Sequence, residues 1–164
     1  MQVGTLIFFT GKMGAGKSTK SKQVSQERNA VLISEDEWLS KLYPNQITSF
    51  DDYLHYSSLL KPLVKSHVLD ILKTGTSVAM DFPANTVNQR KWFKELITEA
   101  NAPNELIYLN VSNNICLRQL EKRRLEQRER AIYDTESMFI EVTKYFQEPD
   151  PSEGFNLQVV DRNA

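Results

Sequence analysis

One cysteine, two histidines and a net charge of −1 remove several kinds of protein before any motif is read. Cys116 alone closes no intrachain disulfide and builds no thiolate metal site. It reads as a small apolar helix residue. His55 and His67 show no partner pattern, and His67 falls among apolar positions, as a core histidine does. A charge so close to zero leaves no global basic field for nucleic acid or a membrane surface. No apolar run approaches the roughly 20 residues of a membrane span. Met1-Gln2-Val3-Gly4 does not begin a basic-then-apolar leader. Internal repeats and low-complexity linkers are absent too. What is there is ordinary for a globular chain: 164 residues, 40% hydrophobic and 25% charged. The expectation is one domain over 1–164 with its own core, in the cytoplasm.

The informative stretch is Gly11-Lys12-Met13-Gly14-Ala15-Gly16-Lys17-Ser18, which spells G-x-x-x-x-G-K-S. It follows the apolar, β-rich run Leu6-Ile7-Phe8-Phe9-Thr10 and precedes a polar helical pattern. A phosphate loop needs a strand to deliver it, glycines to bend it and a helix N-terminus to face the anion. The motif arises by chance in a chain of this length about once in a hundred, and the flanking strand and helix lower that further. Backbone N–H groups of residues 13–18 are expected to cradle the phosphates, with Lys17 reaching the β- and γ-phosphates and Ser18 on Mg²⁺.

Strand and helix patterns alternate through the rest. Strands are expected at Val3–Thr10, Ala30–Ser34, Thr76–Phe82, Glu105–Leu109 and Leu157–Val160. Helices are expected at Ser18–Arg28, Asp36–Tyr43, Asp51–Lys73, Thr86–Asn101, from Ser112 to Arg124 or beyond, and from Asp134 or Thr135 onward. Leu60, Leu63, Val64, Val68, Ile71 and Leu72 recur at helical spacing, and Pro62 should kink or restart that helix. Met138, Phe139, Val142, Tyr145 and Phe146 form the apolar face of the last helix. The alternation means an α/β protein with a parallel sheet covered on both faces.

In such sheets the active groups stand at the carboxyl ends of strands. Asp81 ends the third strand, where a carboxylate can hold Mg²⁺ beside Ser18; a turn cap before Pro83 is the other reading. Asp36, past the second strand, can accept a proton from an attacking hydroxyl. Glu35 could serve instead, and Ser34 or Asp36 could simply cap the helix. Phosphoryl transfer also needs positive charge on the γ-phosphate oxygens. The run from Arg118 to Arg130 supplies arginine, with Arg123 and Arg128 as first choices and Arg118 and Arg124 behind them. The run is mixed in sign and lacks interleaved aromatics, which argues against nucleic-acid binding by this segment. A solvated helix face is its bland alternative. Tyr53, His55 and Tyr56 could line an acceptor pocket, although aromatics at helical spacing more often form core.

With these residues assembled, the chain resembles the small phosphate-loop kinases. That group includes polynucleotide 5′-kinase, gluconate kinase, zeta toxins, chloramphenicol phosphotransferase and bacterial proteins described only as ATP-binding or predicted kinases. The resemblance runs the length of the chain through GKMGAGKST at 11–19, Ser34-Glu35-Asp36, MDFPANTVNQR at 80–90, CLRQLEKRR at 116–124 and YFQEPDPSEGFNLQVV at 145–160. It implies the P-loop NTP hydrolase fold: a three-layer α/β/α domain with a five-stranded parallel sheet in the order 2-3-1-4-5 and a helical lid near 118–134. It implies nucleotide binding by residues 11–19 (Gly11, Lys12, Met13, Gly14, Ala15, Gly16, Lys17, Ser18 and Thr19), a metal held by Ser18 and Asp81, and a base at Asp36. Lid arginines fall within 118–128. Arg90 is suggested as a substrate or phosphate contact, with a helix-surface role as alternative. Glu153-Gly154-Phe155 would sit by the adenine. The implied partners are ATP, Mg²⁺ and a hydroxyl-bearing acceptor, a small molecule, nucleotide or nucleic-acid end, that no motif here identifies. A nucleotide-binding switch with weak hydrolysis and no acceptor is the competing function.

Overall fold

The computed structural model describes residues 2–163. Five strands, β1 (Leu6–Gly11), β2 (Val31–Ser34), β3 (Val78–Asp81), β4 (Asn104–Val111) and β5 (Leu157–Arg162), form one sheet in the order β2-β3-β1-β4-β5. All four pairings are parallel. This is the order that the resemblance implies.

β1 is central and buried along its whole length. Its side chains alternate between two cores, as the period of a strand requires. Leu6 and Phe8 join Leu60, Val64, Val68 and Leu72 of α3 (Phe50–Lys73) and Phe93 and Leu96 of α4 (Val87–Ala100). Ile7 and Phe9 join Val24 of α1 (Lys17–Glu27) and Ile115, Cys116 and Leu120 of α5 (Asn113–Glu126). Cys116 is buried there as a small apolar group. The neighbours β1 and β4 send their connections to opposite sides, towards β2 and β5, and their diverging carboxyl ends open a crevice.

Local capping sets the helix starts. Ser49, Thr86 and Thr135 each accept a hydrogen bond at 3.1 Å from the amide three residues on, opening α3, α4 and α6 (Glu136–Thr143). Among the described residues no helix is long and apolar enough to cross a membrane.

Four expectations need correction. α3 runs through Pro62 without restarting, because Leu60, Val64, Val68 and Leu72 anchor both sides of it while Pro62 itself is exposed. Leu63 and His67 face solvent rather than the core. On α6 only Phe139 is buried; Met138, Val142 and Tyr145 are exposed. β4 and β5 both extend further than their apolar runs, since Asn110 and Val111 pair with Asp161 and Arg162.

After α6 the chain crosses the carboxyl ends of the sheet. The Gln147 amide donates to the Asn85 carbonyl at 2.8 Å, and the Gln147 side chain accepts from Val87 N at 2.8 Å. Asp150 and Glu153 then close a capping box over the 3-10 turn Pro151–Glu153.

Candidate active site

Gly11 ends β1, and the loop bends through two left-handed glycines, Gly14 (φ +80°) and Gly16 (φ +96°), before α1 begins at Lys17. Gly14 is also needed for space: a Cβ there would lie 2.7 Å from the Cys116 carbonyl oxygen and 2.8 Å from Leu120. The loop is thus pressed against α5. The Gln119 amide, oriented to suit both neighbours, donates to the Gly14 carbonyl at 2.6 Å and accepts from Arg162 at 2.9 Å. On the other flank the Asn85 carbonyl oxygen accepts from the Thr10 hydroxyl and the Gly11 amide, each at 3.1 Å. Asn85 escaped the sequence reading, although a polar residue just past a strand end was its signal. Lys17 folds back on the loop and donates to the carbonyls of Gly11 (2.5 Å) and Lys12 (3.3 Å). Burial pushes its ammonium down to about 8, against an upward pull from Asp81.

The loop forms one wall of a cleft of about 270 Å³, with Asp36, Asp81, Asn85 and Arg123 opposite. Ser18 donates to Asp81 at 2.9 Å, and Ser34 to the same oxygen at 3.4 Å. Ser34 occupies the N-cap position of α2 (Glu35–Leu42), yet its hydroxyl makes no cap bond. Burial holds the Asp81 carboxyl above its usual range, and the nearby Asp36 adds to this. A hydroxyl and a carboxylate on adjacent oxygens suit Mg²⁺, which takes one or two protein oxygens and fills its remaining positions with phosphate and water. Among the described residues no cluster of three or more His, Cys, Asp or Glu could hold a metal by itself.

The two neighbouring carboxylates of α2 have different surroundings. Glu35 is buried, accepts from the Tyr53 hydroxyl, and accepts from Ser57 at 2.8 Å, tying α2 to α3. Burial raises its carboxyl pKa. Asp36 is exposed in the cleft. It also lines a second cavity of about 680 Å³, between α2, the loop before α3, and Tyr133 and Met138 from the far segment. Of the aromatics expected at an acceptor pocket, Tyr53 lines both cavities, whereas His55 and Tyr56 line neither.

The arginines separate as well. Arg123 reaches the phosphate-loop cleft, its guanidinium forked onto the buried Asp134 at 2.6 and 2.7 Å. Arg124 donates to the Asp134 carbonyl. Arg128 is exposed on the 3-10 turn Arg128–Arg130 and lines none of these cavities. Arg118 opens on a further cleft of about 610 Å³ with Lys122 and Arg162. Arg90 contradicts both roles considered for it. It is fully buried, donating to Glu153 (2.7 Å), to the Ala84 carbonyl (2.9 Å) and to the Glu148 carbonyl (3.4 Å). It is an internal tether. Glu153 is engaged by Arg90, and Phe155 packs edge-on against Phe8, 5.1 Å between ring centres, before β5 begins; neither lines the phosphate-loop cleft.

Comparison with known proteins agrees with this geometry. The profile of an AAA domain family, AAA_33, matches residues 6–149. No curated protein matches the sequence significantly. Among solved structures, a candidate kinase from Chloroflexus aurantiacus superposes with a TM-score of 0.74 at 22% identity, covering 98% of this chain and 86% of its own. The Mycobacterium tuberculosis APS kinase CysC, solved with AMPPNP and APS, gives 0.68 at 16% identity, over 100% and 91%. Chaetomium thermophilum Kti12, solved with ADP-AlF3, gives 0.68 at 18%, over 95% and 88%. With the phosphate loop, the five-stranded order and a profile match over most of its length, the chain belongs to the AAA domain family AAA_33 and has the fold of a small P-loop kinase.

Proposed function

We propose that this chain is an ATP-dependent kinase that transfers the γ-phosphate to a hydroxyl of a small molecule or nucleotide. The observation that carries the reading is the position of Asp36. It stands on the wall shared by the phosphate-loop cleft and the second cavity, so a group bound in one faces a group bound in the other across it. A switch that only binds nucleotide has no need of that second cavity.

The roles follow from placement. Amides of residues 13–18 and the Lys17 ammonium take the phosphates. Ser18 and Asp81 would hold Mg²⁺, which would supply charge neutralisation on the phosphate oxygens. Asp36 accepts the acceptor's hydroxyl proton and orients its oxygen. Arg123, fixed by Asp134, sets positive charge against the transferring group. The segment 118–134 acts as the lid, and Arg128 would join the site only if that segment closes. The cleft of Arg118, Lys122 and Arg162 takes the nucleoside end of ATP, because Gln119 couples Arg162 to Gly14 of the loop.

An acceptor screen with γ-labelled ATP tests this, run with the native chain and Asp36→Asn. The native chain should label an acceptor. The variant should bind ATP within a few-fold of native and transfer at least about a hundredfold more slowly, the loss typical of removing a general base. Unchanged transfer refutes the role of Asp36. Free phosphate as the sole product with every acceptor refutes the kinase reading and leaves the switch.

A further inference from the structure

The second cavity has a lining that narrows the acceptor. Its wall carries Leu39, Tyr43, Ile47, Phe50, Tyr133 and Met138, with the hydroxyls of Ser40, Thr48, Ser49 and Tyr53 between them. Among the described residues no Lys, Arg or His is on that wall, and Asp36 is the one acidic residue there. Two basic side chains on neighbouring turns are directed elsewhere. Lys41 is paired with Glu37 at 2.7 Å, and Lys61 lies over the Trp92 ring at 5.4 Å.

From this lining we infer that the acceptor is an uncharged hydroxyl compound with a flat aromatic or equally apolar body, and not a phosphorylated or carboxylated one. The inference rests on the kinase reading and names the substrate class of that same site. Three physical points support it. A bound phosphate or carboxylate needs arginine, lysine or several aimed amides to repay its desolvation, and the described residues of this wall include no cation while placing a carboxylate beside the reacting hydroxyl. Phe50 is 71% exposed, Tyr133 51% and Met138 41%. Apolar groups of that size left open around a concavity gain from a partner with its own apolar faces. The volume, about 680 Å³, lies within the range of small-molecule pockets and exceeds what a three-carbon polyol would fill.

The neighbouring polar groups fit the same class. The Thr48 hydroxyl is engaged with Asp52 at 3.0 Å, and Ser40 donates to the Glu37 carbonyl at 3.0 Å. Each keeps an acceptor lone pair for a ligand hydroxyl or amine. These are orienting contacts for a neutral molecule rather than an anion cradle.

The experiment measures transfer from γ-labelled ATP by the full chain to three sets of acceptors at equal concentration. The first set is nucleosides and aryl-alkyl alcohols. The second is their 5′-phosphates and carboxylated analogues. The third is hexoses and polyols with no aromatic body. The expected result is a labelled phosphomonoester in the first set, with kcat/KM at least about a hundredfold above the other two. In the same assay Tyr133→Ala should raise the KM of the acceptor about tenfold through the lost aromatic face, with the KM for ATP moving less than twofold. Ser40→Lys, which puts a cation on the wall, should shift preference towards the phosphorylated partner of each pair. Preferred transfer to the second or third set overturns the inference and leaves the kinase reading intact. Labelled free phosphate alone, in all three sets, overturns both. A Tyr133→Ala variant that loses ATP and acceptor affinity equally also refutes the pocket assignment.

Discussion

The depressed Lys17 ammonium makes ATP affinity depend on pH in a direction the structure sets. Burial holds this group at about 8 in the free protein, below its ordinary 10.5. The phosphates need the charged form, and their negative charge raises the same group when they bind. Binding therefore takes up a proton once the free lysine has lost it. Affinity is flat below pH 8 and falls as pH rises through it. Between pH 7 and 9 the protonated fraction drops from roughly nine-tenths to one-tenth, so Kd should rise about tenfold, near 1.4 kcal/mol. The nucleotide blurs this window little, because a terminal phosphate has its second pKa near 6 and is about nine-tenths ionised by pH 7. Titration calorimetry with Mg²⁺-ATP in buffers of different ionisation enthalpy reads both quantities, and at pH 8.5 uptake should be about three-quarters of a proton. Folding stability has the opposite sign. The unfolded chain keeps the lysine proton between about 8 and 10.5, so this group's contribution to stability rises with pH across that window. A Kd unchanged from pH 7 to 9, or no proton uptake at pH 8.5, refutes the placement of Lys17 against the phosphates.

Two further outcomes follow from the geometry. Ser18→Ala removes the hydroxyl and Asp81→Asn the carboxylate charge at the 2.9 Å contact proposed as the metal position; both should raise the Mg²⁺ concentration for half-maximal ATP binding by about tenfold or more, and an unchanged Mg²⁺ titration would move the metal elsewhere. Arg90→Met strands Glu153 and two carbonyls that the guanidinium now satisfies; urea unfolding should show a loss of roughly 3–5 kcal/mol, partly recovered in Arg90→Met/Glu153→Met, whereas a direct phosphate contact at Arg90 predicts lost ATP affinity with stability intact.

The legible parts of this chain are those that local rules govern. Strand β1 reads from six residues, because burial on both faces demands a continuous apolar run. The phosphate loop reads from its spacing, because left-handed turns select glycine and the anion selects a lysine at the helix start. Capping at Ser112 reads from a single hydroxyl before its helix, and the start of α6 narrows to Asp134 or Thr135, of which Thr135 is the cap. Where reading failed, a distant partner decided. Pro62 breaks helices locally, yet α3 persists because the sheet holds it on both sides. The apolar residues of α6 looked like a core stripe, but only Phe139 finds a core to enter.

The sequence by itself determined the class: an alternating α/β chain whose first strand delivers a phosphate loop, with carboxylates and arginines placed after later strands. Only the tertiary structure chose among residues of the same type. Glu35 and Asp36 are adjacent in sequence, and the packing of α3 buries one against Tyr53 and Ser57 while leaving the other between two cavities. Arg123 is set apart by its fork onto the Asp134 carboxylate and its reach into the phosphate-loop cleft, and Arg90 from a ligand contact by Glu153, 63 residues away. Such choices depend on long-range contacts, whose partners become neighbours only when the sheet order β2-β3-β1-β4-β5 brings the strand ends together. The charge and shape of the second cavity arise the same way, from α2, the loop before α3, and the segment near Tyr133, which meet only in the folded chain.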